Sequence, residues 1–448
     1  FNTIIKNPTA NQLTGLEHFV SAYGARHDLK DKSISTYKPG YLSRRMGHAA
    51  SAVSIVSKDC GDTEGLRLDF DFIKQFVGAA NATKPDIEVV EQVEDFLVKM
   101  LLGRYVIEDG VTSDIILTEE QARAIISRDF VSIGVNGDVI KHSGVRLRSP
   151  LTCKDPCCVK CFGRNEGTQT LAVVGLPVGS DAATSIGEPG TQMTMKNFQG
   201  GGVAGQKNLT SSFDLMDRLL EMQDLFKNSD IVTYDYLAPV EGEVKTVSVG
   251  DGTKKLCILD QKTKKNLMKQ KVYFYEHTKL KNYVMKGEPI CVEQGHYNIH
   301  EVIKYRGMPY AIKYLTVQLY SIFVSQNVDV NFKHFEVLIS SMVFHVCTVG
   351  NEHFKACHYY TNREYYNADR DGAEFFETIK GLKDTPRFRE DVFSTMFLED
   401  IKKGIHRSIV ISGKDDLKYP IIRYAFGLSL GMGSDIPTYW EERSKYGL

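Results

Sequence analysis

Residues 185–198 read Ser-Ile-Gly-Glu-Pro-Gly-Thr-Gln-Met-Thr-Met-Lys-Asn-Phe, and this block decides how the rest of the chain is read. Gly187, Pro189 and Gly190 are helix breakers: proline lacks the backbone donor that a helix needs, and glycine is a poor helix former. Directly beyond lies Phe198-Gln199-Gly200-Gly201-Gly202, a run too flexible to hold one conformation unaided. Small residues lead in, Gly179-Ser180-Asp181-Ala182-Ala183-Thr184. An amphipathic segment leads out, with Ser211 and Ser212 as cap candidates and Phe213, Met216, Leu219, Leu220 and Met222 at helical spacing. The expectation is a hinged helix-loop-helix with a glycine tip, able to fold over a substrate and open again. A lone Gly-Pro-Gly would read more simply as a tight turn between two core helices.

A second block lies upstream. Leu13, Leu16, Phe19, Val20 and Tyr23 recur at the period of a helix with one buried stripe. They are followed by Gly24-Ala25-Arg26 and, further on, by Gly40-Tyr41-Leu42-Ser43-Arg44-Arg45-Met46. Taken together, the two blocks resemble the largest subunit of multisubunit RNA polymerases, β′ in bacteria. Residues 185–198 resemble the start of its trigger loop. The stretch from Gly24 to Met46 resembles its bridge helix, the rod across the active cleft, with Asp31, Thr36, Gly40, Tyr41 and Arg44 at the family's spacing. Pro39 departs from the family, which usually carries a small or polar residue there. A kink is therefore expected at Lys38 to Gly40.

The chain contains nine cysteines in 448 residues, an odd number with no secretory signal, which argues for a reducing compartment rather than a disulfide framework. Cys60 stands in Asp-Cys-Gly-Asp, and Cys153, Cys157, Cys158 and Cys161 lie in Leu-Thr-Cys-Lys-Asp-Pro-Cys-Cys-Val-Lys-Cys-Phe-Gly-Arg. A Cys-x-x-Cys knuckle plus two further thiolates supplies the four soft ligands of a closed structural zinc site. The arrangement resembles the β′ zinc site, with one cysteine after the bridge helix and three before the trigger loop. That resemblance assigns Cys60, Cys153, Cys158 and Cys161. The gap between Cys153 and Cys158 is short for the family, so Cys157 stays open as a replacement for Cys158. Buried inert thiols and a redox Cys-x-x-Cys are the alternatives, and nothing around the knuckle reads as a thioredoxin-like unit.

Two weaker constellations are set aside. Cys347, His353, Cys357 and His358 could be drawn as another metal site, but the adjacent Cys357 and His358 cannot easily both reach one ion. Asp69-Phe70-Asp71 superficially resembles the family's magnesium-binding aspartate triad. It lacks the third carboxylate, and its alternation fits a half-buried strand.

The fold expected is α+β with several sub-domains. Residues 1–57 carry the bridge helix and the helix that follows it, and 58–165 form a mixed segment closed by the four-cysteine site. Within that segment Glu91 to Leu102 reads as helix, with short strands near Ile115-Ile116-Leu117. Leu101 to Arg104 and Gly144 to Leu151 resemble the family just ahead of its knuckle. Residues 166–230 hold the trigger-loop hairpin. Residues 231–300 change to short strands with turn signals (Glu241-Gly242-Glu243, Gly250-Asp251-Gly252, Lys286-Gly287-Glu288-Pro289) and read as a small β-barrel-like module. Residues 301–448 read as a C-terminal helical clamp segment. There Ile312, Leu315, Leu319, Ile322 and Phe323 mark a helix, Asp329 to Val337 resemble the family's Asn-Asp-Lys-His-Ile-Glu pattern, and Phe393 to Gly433 match loosely.

The formal net charge of −1 gives no global basic footprint, so nucleic acid would be touched only through local residues in an assembled cleft. No apolar run approaches the roughly 20 residues needed to span a bilayer. The first residue is Phe, so the start reads as processed, trimmed or undetermined. The family's aspartate loop, which binds the catalytic magnesium, normally precedes the bridge helix. The resemblance therefore implies the C-terminal part of a split β′, with magnesium held by another chain. In its compact length the chain is most similar to the split β′ subunits of large bacteriophages.

The implied activity is DNA-directed RNA synthesis in an assembled complex, by two-metal in-line nucleotidyl transfer. By the same match Gln192 would contact ribose, Met195 would pack on the incoming base and Lys196 would neutralise phosphate charge. Gln199, where bacterial enzymes often have His, could only position and hydrogen-bond. Thr36 and Gly40 would border the nascent base pair, and Arg44 would face template backbone. The implied partners are an N-terminal β′ fragment, β or its fragments, a promoter-specificity subunit, DNA template, RNA product and nucleoside triphosphates, with no membrane. The implied place is the cytoplasm of an infected bacterium, or the virion. Two rivals are a stand-alone zinc-containing nucleic-acid-binding protein and a self-contained enzyme using Asp69 and Asp71. Near-neutral charge weighs against the first, the missing third carboxylate against the second.

Overall fold

The computed structural model describes residues 13–35, 37–70, 73, 86–108, 110–113, 116–129, 144–199, 207–222, 237–250, 253–259, 273–275, 280–291, 297–326, 328–368 and 370–388, with 406, 409, 410 and 428 singly. A capping box starts the first helix. The Thr14 backbone N–H donates to Glu17 Oε2 at 3.0 Å, and the Glu17 N–H donates to Thr14 Oγ1 at 3.4 Å. Helix α1 then runs Gly15–Ser35, and α2 runs Tyr37–Ala50. Lys38 to Gly40, where a kink is expected, are helical. The helix runs through these residues, with Pro39 in the first turn of α2, where helical N–H groups have no partner to lose. Pro39, Leu42, Met46 and Ala49 form its buried stripe, with Arg45 and Ala50 beside them.

After α2 the chain enters a mixed region. Strand β1 (Leu66–Asp69) pairs antiparallel with β4 (Gly144–Leu147), Leu66 opposite Leu147. Between them in sequence lie α3 (Asp86–Leu101), the short hairpin β2 (Ile107–Glu108) with β3 (Val111–Thr112), and α4 (Glu119–Asp129). The strands expected near Ile115 to Leu117 therefore fall a few residues earlier, ahead of a loop that hydrogen-bonds back through Leu117 N–H to Arg104 O. Asp69 ends its strand and pairs with Arg67 and Lys313, while Phe70 is fully buried, as a structural role requires. Asp71 lies outside the described residues.

Short helix α5 (Val159–Phe162) carries the cysteine knuckle, and α6 (Val178–Gln199) follows. The sequence predicted a helix break at Gly187 to Gly190, and the structure corrects it: α6 continues through Pro189. Packing explains the outcome. Ala183 and Ile186 are buried in one cluster with Leu42, Met46 and Ala49 of α2, and a Cβ added at Gly187 would lie 2.5 Å from Ser43 Oγ. The glycine therefore permits close helix approach, and tertiary contact overrides propensity. Helix α7 (Lys207–Leu220) starts before Ser211 and Ser212, which are interior positions rather than caps. Its Phe213, Met216, Leu219 and Leu220 are buried, as the spacing predicted. The glycine tip, 200–206, lies outside the described residues.

Strands β5 (Gly242–Gly250), β6 (Thr253–Leu259), β7 (Tyr273–Tyr275) and β8 (Tyr283–Val284) make an antiparallel sheet in the order β7-β6-β5-β8. It has its own small core of Ala238, Leu256, Ile258, Val284 and Ile290. Among the described residues β7 and β8 remain opposite edges. Helices α8 (Ile299–Arg306), α9 (Met308–Ser325) and α10 (Phe332–Ser340) return the chain to the main core. Tyr320 of α9 stands 4.6 Å from Phe96 and 5.3 Å from Phe332, ring centre to ring centre. The remainder is not all helix. Strand β9 (Val343–Val349) lies between β10 (Tyr359–Tyr360) and β11 (Glu374–Ile379), with short helices α11 (Asn362–Asn367) and α12 (Thr385–Phe388). The Val343-Phe344-His345-Val346 run is buried throughout, with no alternation to mark a strand, and helical periodicity cannot be separated from a buried strand in so short a run. Residues 393–427 are outside the described set but for 406, 409 and 410.

Candidate metal centre and the paired helices

The cysteines meet because two distant segments run side by side. Val56 N–H donates to Cys157 O at 3.1 Å, and Val159 N–H donates to Ser57 O at 3.0 Å, which sets the 56–60 segment against the knuckle. Cys158 caps α5 with extended backbone, and its sulfur accepts the Cys161 N–H at 3.3 Å. Gly163 closes the turn at φ 77, a conformation that favours glycine. The Sγ atoms of Cys60, Cys153, Cys158 and Cys161 all lie within 4.8 Å of one another, and Cys60 and Cys161 are 3.6 Å apart. Sulfurs bound tetrahedrally at about 2.3 Å from one ion stand about 3.8 Å apart, so the four can hold a single divalent cation.

Cys157 faces elsewhere. It is fully buried among Val53, Ile55, Val159 and Phe162, and burial pushes its thiol well above the usual range. Of the two alternatives left open for the knuckle, the cluster contains Cys158. Within the cluster, Cys60 and Cys158 are driven down chiefly by the hydrogen bonds of Cys153, whose own thiol is driven up chiefly by Cys158. Four sulfurs this close share protons until a cation replaces them. Among the described residues this is the one group of metal-ligating side chains that converges. Cys347 instead donates to Val349 O, and Cys357 is exposed on a turn.

Sequence reasoning missed the shell around the cluster. The Arg148 guanidinium is 1% exposed and lies against the sulfurs, with Nε 3.4 Å from Cys161 Sγ and one terminal nitrogen 3.2 Å from Cys60 Sγ. It also donates to Asp59 Oδ1 at 2.7 Å and to Asp62 O at 2.9 Å. Burial pulls its pKa down, and Cys161 foremost among its anionic neighbours more than restores it. The acidic residues flanking Cys60 were the available signal.

A second buried set ties α10 to this region. Arg104 and Glu336 form a two-pronged pair at 2.9 and 2.5 Å, and Ser149 Oγ donates to Glu336 at 2.9 Å. Lys333, 1% exposed, donates to Arg164 O at 2.9 Å, and burial pushes its ammonium down to about 8.

The other candidate site is the seam between α2 and α6. A groove of about 620 Å³ opens along it, lined by Gly40, Ser43, Arg44 and His48 from α2 and by Thr184, Gly187, Glu188 and Thr191 from α6. Arg44 Nε approaches His48 Nε2 at 3.4 Å, and burial, then the Arg44 charge, lowers the His48 pKa. Gly40 and Arg44 thus line the groove, while Thr36 lies outside the described residues. Gln192, Met195, Lys196 and Gln199 occupy the last two turns of α6, and only their backbone is described. On the opposite face of α2, buried Arg45 clamps α7 through Asp217 at 2.6 Å and through Glu221, with its guanidinium 4.4 Å from the Tyr41 ring. This clamp was also invisible in the sequence, because its partners lie far apart along the chain.

Two closely packed helices and a cluster of four cysteines able to hold one cation place the chain among mixed α+β proteins. The family model described as RNA polymerase Rpb1, domain 5, matches residues 13–355, and the chain belongs to that family. It is 30% identical over 346 residues to the DNA-directed RNA polymerase subunit beta′ of Halalkalibacterium halodurans, covering 76% of this chain and 26% of the relative. To the subunit of the same name in Natranaerobius thermophilus it is 31% identical, covering 76% of this chain and 26% of the relative. With that of Mycoplasma capricolum the likeness is 27% over 427 residues, 92% of this chain and 32% of the relative. The chain spans about a quarter to a third of the length of the curated relatives it matches.

Proposed function

We propose that this chain is the C-terminal part of the largest subunit of a DNA-directed RNA polymerase. In this reading α1 and α2 form the bridge helix, α6 and α7 form the two arms of the trigger loop, and the four cysteines hold a structural zinc. The observation that carries it is the packing of α6 on α2 through Gly179 and Gly187 in a chain whose relatives are beta′ subunits. In this reading the base of α6 is fixed by its packing on α2, and α7 is fixed to α2 by the Arg45 clamp, so that any lid closure would take place beyond that base.

Catalysis would be two-metal nucleotidyl transfer. This chain's residues would position rather than exchange protons. Gln192 would hold the ribose, Met195 would pack on the base and Lys196 would meet the triphosphate. Gln199, a neutral amide, would donate a hydrogen bond and has no proton to give at neutral pH. Thr36 and Gly40 would border the new base pair, and Arg44 would face the template. A zinc ion in the cysteine cluster would supply folding free energy and no chemistry.

Partners would be the remaining polymerase subunits, a promoter-specificity subunit, DNA, RNA and nucleoside triphosphates. Among the described residues no helix is long and apolar enough to cross a membrane. The β5–β8 sheet would belong to a barrel-like module and the last residues to a clamp, in an enzyme of bacteriophage origin acting in the infected bacterium or carried in the virion.

The test is nucleotide addition on a preassembled scaffold by the purified complex. Met195→Ala should slow addition at least about tenfold, roughly 1.4 kcal/mol. Gln199→Ala should cost less, since one neutral hydrogen bond is worth about 0.5–1.5 kcal/mol. Normal rates for both, or a chain that purifies folded and alone while binding DNA, would replace this reading by a non-catalytic zinc-containing nucleic-acid-binding protein.

A further inference from the structure

We propose that Arg148 is the built-in counter-charge of the cysteine centre and controls how firmly the centre keeps its metal. This rests on the metal reading of the four cysteines. Four thiolates around a divalent cation leave two net negative charges, and in a buried site these need neutralising from nearby. The only cation aimed at the sulfurs among the described residues is Arg148. Its Nε lies 3.4 Å from Cys161 Sγ, and one terminal nitrogen lies 3.2 Å from Cys60 Sγ and 3.6 Å from Cys158 Sγ. One planar group thus reaches three of the four sulfurs, a geometry that a fork of fixed donors satisfies and a single ammonium cannot.

The rest of the guanidinium is held in place from outside the cluster. Asp62 O at 2.9 Å, Thr112 Oγ1 at 3.3 Å and Asp59 Oδ1 at 2.7 Å fix its plane, and Lys160 pairs with Asp59 at 3.0 Å. These anchors come from the residues on either side of Cys60 and from strand β3, so Arg148 also joins Cys60 to the three ligands that lie far along the chain, Cys153, Cys158 and Cys161. N–H donors on a thiolate lower the electron density it offers an incoming proton and slow the protonation that releases metal. Arg148 is a positioning residue for the centre, and its effect should appear in metal retention.

The experiment uses the full chain in its purified assembly and reads metal content and zinc transfer to the chromogenic chelator 4-(2-pyridylazo)resorcinol. The unaltered protein should hold one zinc. Less than about half an equivalent would end the metal reading itself, and the Arg148 proposal with it. Given bound zinc, Arg148→Met should release it at least about tenfold faster, the lower end of what loss of a ligand's outer partner costs. Arg148→Lys, which keeps the charge and loses the fork, should fall between. Thr112→Val, which removes an anchor that touches no sulfur, should stay near the unaltered rate. Release from Arg148→Met at the unaltered rate would overturn the proposal while leaving the metal site standing. Where Arg148→Met does not fold, Arg148→Lys decides. Cobalt-substituted Arg148→Lys should shift the sulfur-to-metal charge-transfer band. An unshifted band with unaltered release would refute the role.

Discussion

Three glycines of α6 face three different neighbours, and replacing each with alanine converts the helix seam into a graded measurement. A methyl at Gly179 would overlap the Ala50 carbonyl, 2.7 Å from its carbon and 3.0 Å from Val53 O. Both are backbone atoms, one in the last residue of α2 and one three residues beyond it, and neither can turn aside. At Gly187 the methyl would meet Ser43 Oγ at 2.5 Å and Ser43 Cβ at 3.0 Å, a side chain that can rotate only by giving up its bond to Pro39 O. At Gly190 it would reach Met216 Cε at 3.6 Å, ordinary contact with a flexible end. Each change gains up to about 1 kcal/mol of helix propensity. Overpacking opposes that gain by about 1–3 kcal/mol where a neighbour can yield, and by more where backbone must move. The expected order in urea unfolding followed by circular dichroism is Gly190→Ala neutral or more stable, Gly187→Ala less stable by about 1–2 kcal/mol, and Gly179→Ala less stable by at least about 3 kcal/mol. Ser43→Gly should rescue Gly187→Ala with a coupling of about 1–2 kcal/mol and should do nothing for Gly179→Ala. Equal stabilisation at all three positions, as expected if these glycines act through helix propensity alone, would refute the packing argument.

Glu336→Ala should destabilise the fold by about 3–5 kcal/mol in the same assay, because it leaves the Arg104 charge buried without its carboxylate. Replacing Arg104 and Glu336 together by methionine should cost much less than either single change. His334 is held down to about 4 by burial and by the Lys333 charge. Between about pH 6.5 and 4 the unfolded chain therefore takes up a proton that the folded one refuses. Stability should be full above pH 6.5 and fall by about 3 kcal/mol as pH drops through that window. His334→Asn should flatten the fall. Cys60→Ser should lose the metal and lower the unfolding midpoint, whereas Cys157→Ala should keep a full metal equivalent, as plasma emission analysis would show.

What the sequence made legible were features whose signal is local. The knuckle could be read because Cys158 and Cys161 lie within one turn and because thiolates at that spacing have few other uses. The buried stripe of α7 could be read because Phe213, Met216, Leu219 and Leu220 repeat with the helix. Most misreadings arose where something outside the local stretch changed the meaning of a residue. Pro189 and its flanking glycines carry a breaker's propensity, but α2 supplies a surface so close that side chains would obstruct it, and the helix persists. Ser211 and Ser212 resemble caps only if the helix starts beside them, and α7 starts four residues earlier. Strand β9 was hidden because its partners β10 and β11 arrive later in the chain and leave no alternation on a strand buried along most of its length. Arg148 shows the same limit at the site. Its segment was recognisable, but nothing in Gly144 to Leu151 says which of two arginines turns inward. Strand pairing decides it: with Leu147 opposite Leu66 and Val145 opposite Leu68, Arg146 is left exposed beside Arg67, and the next residues lead the chain into the cluster. The ligands of such a centre can be named from spacing, whereas the group that balances their charge is chosen by register, and register is a property of two segments rather than one.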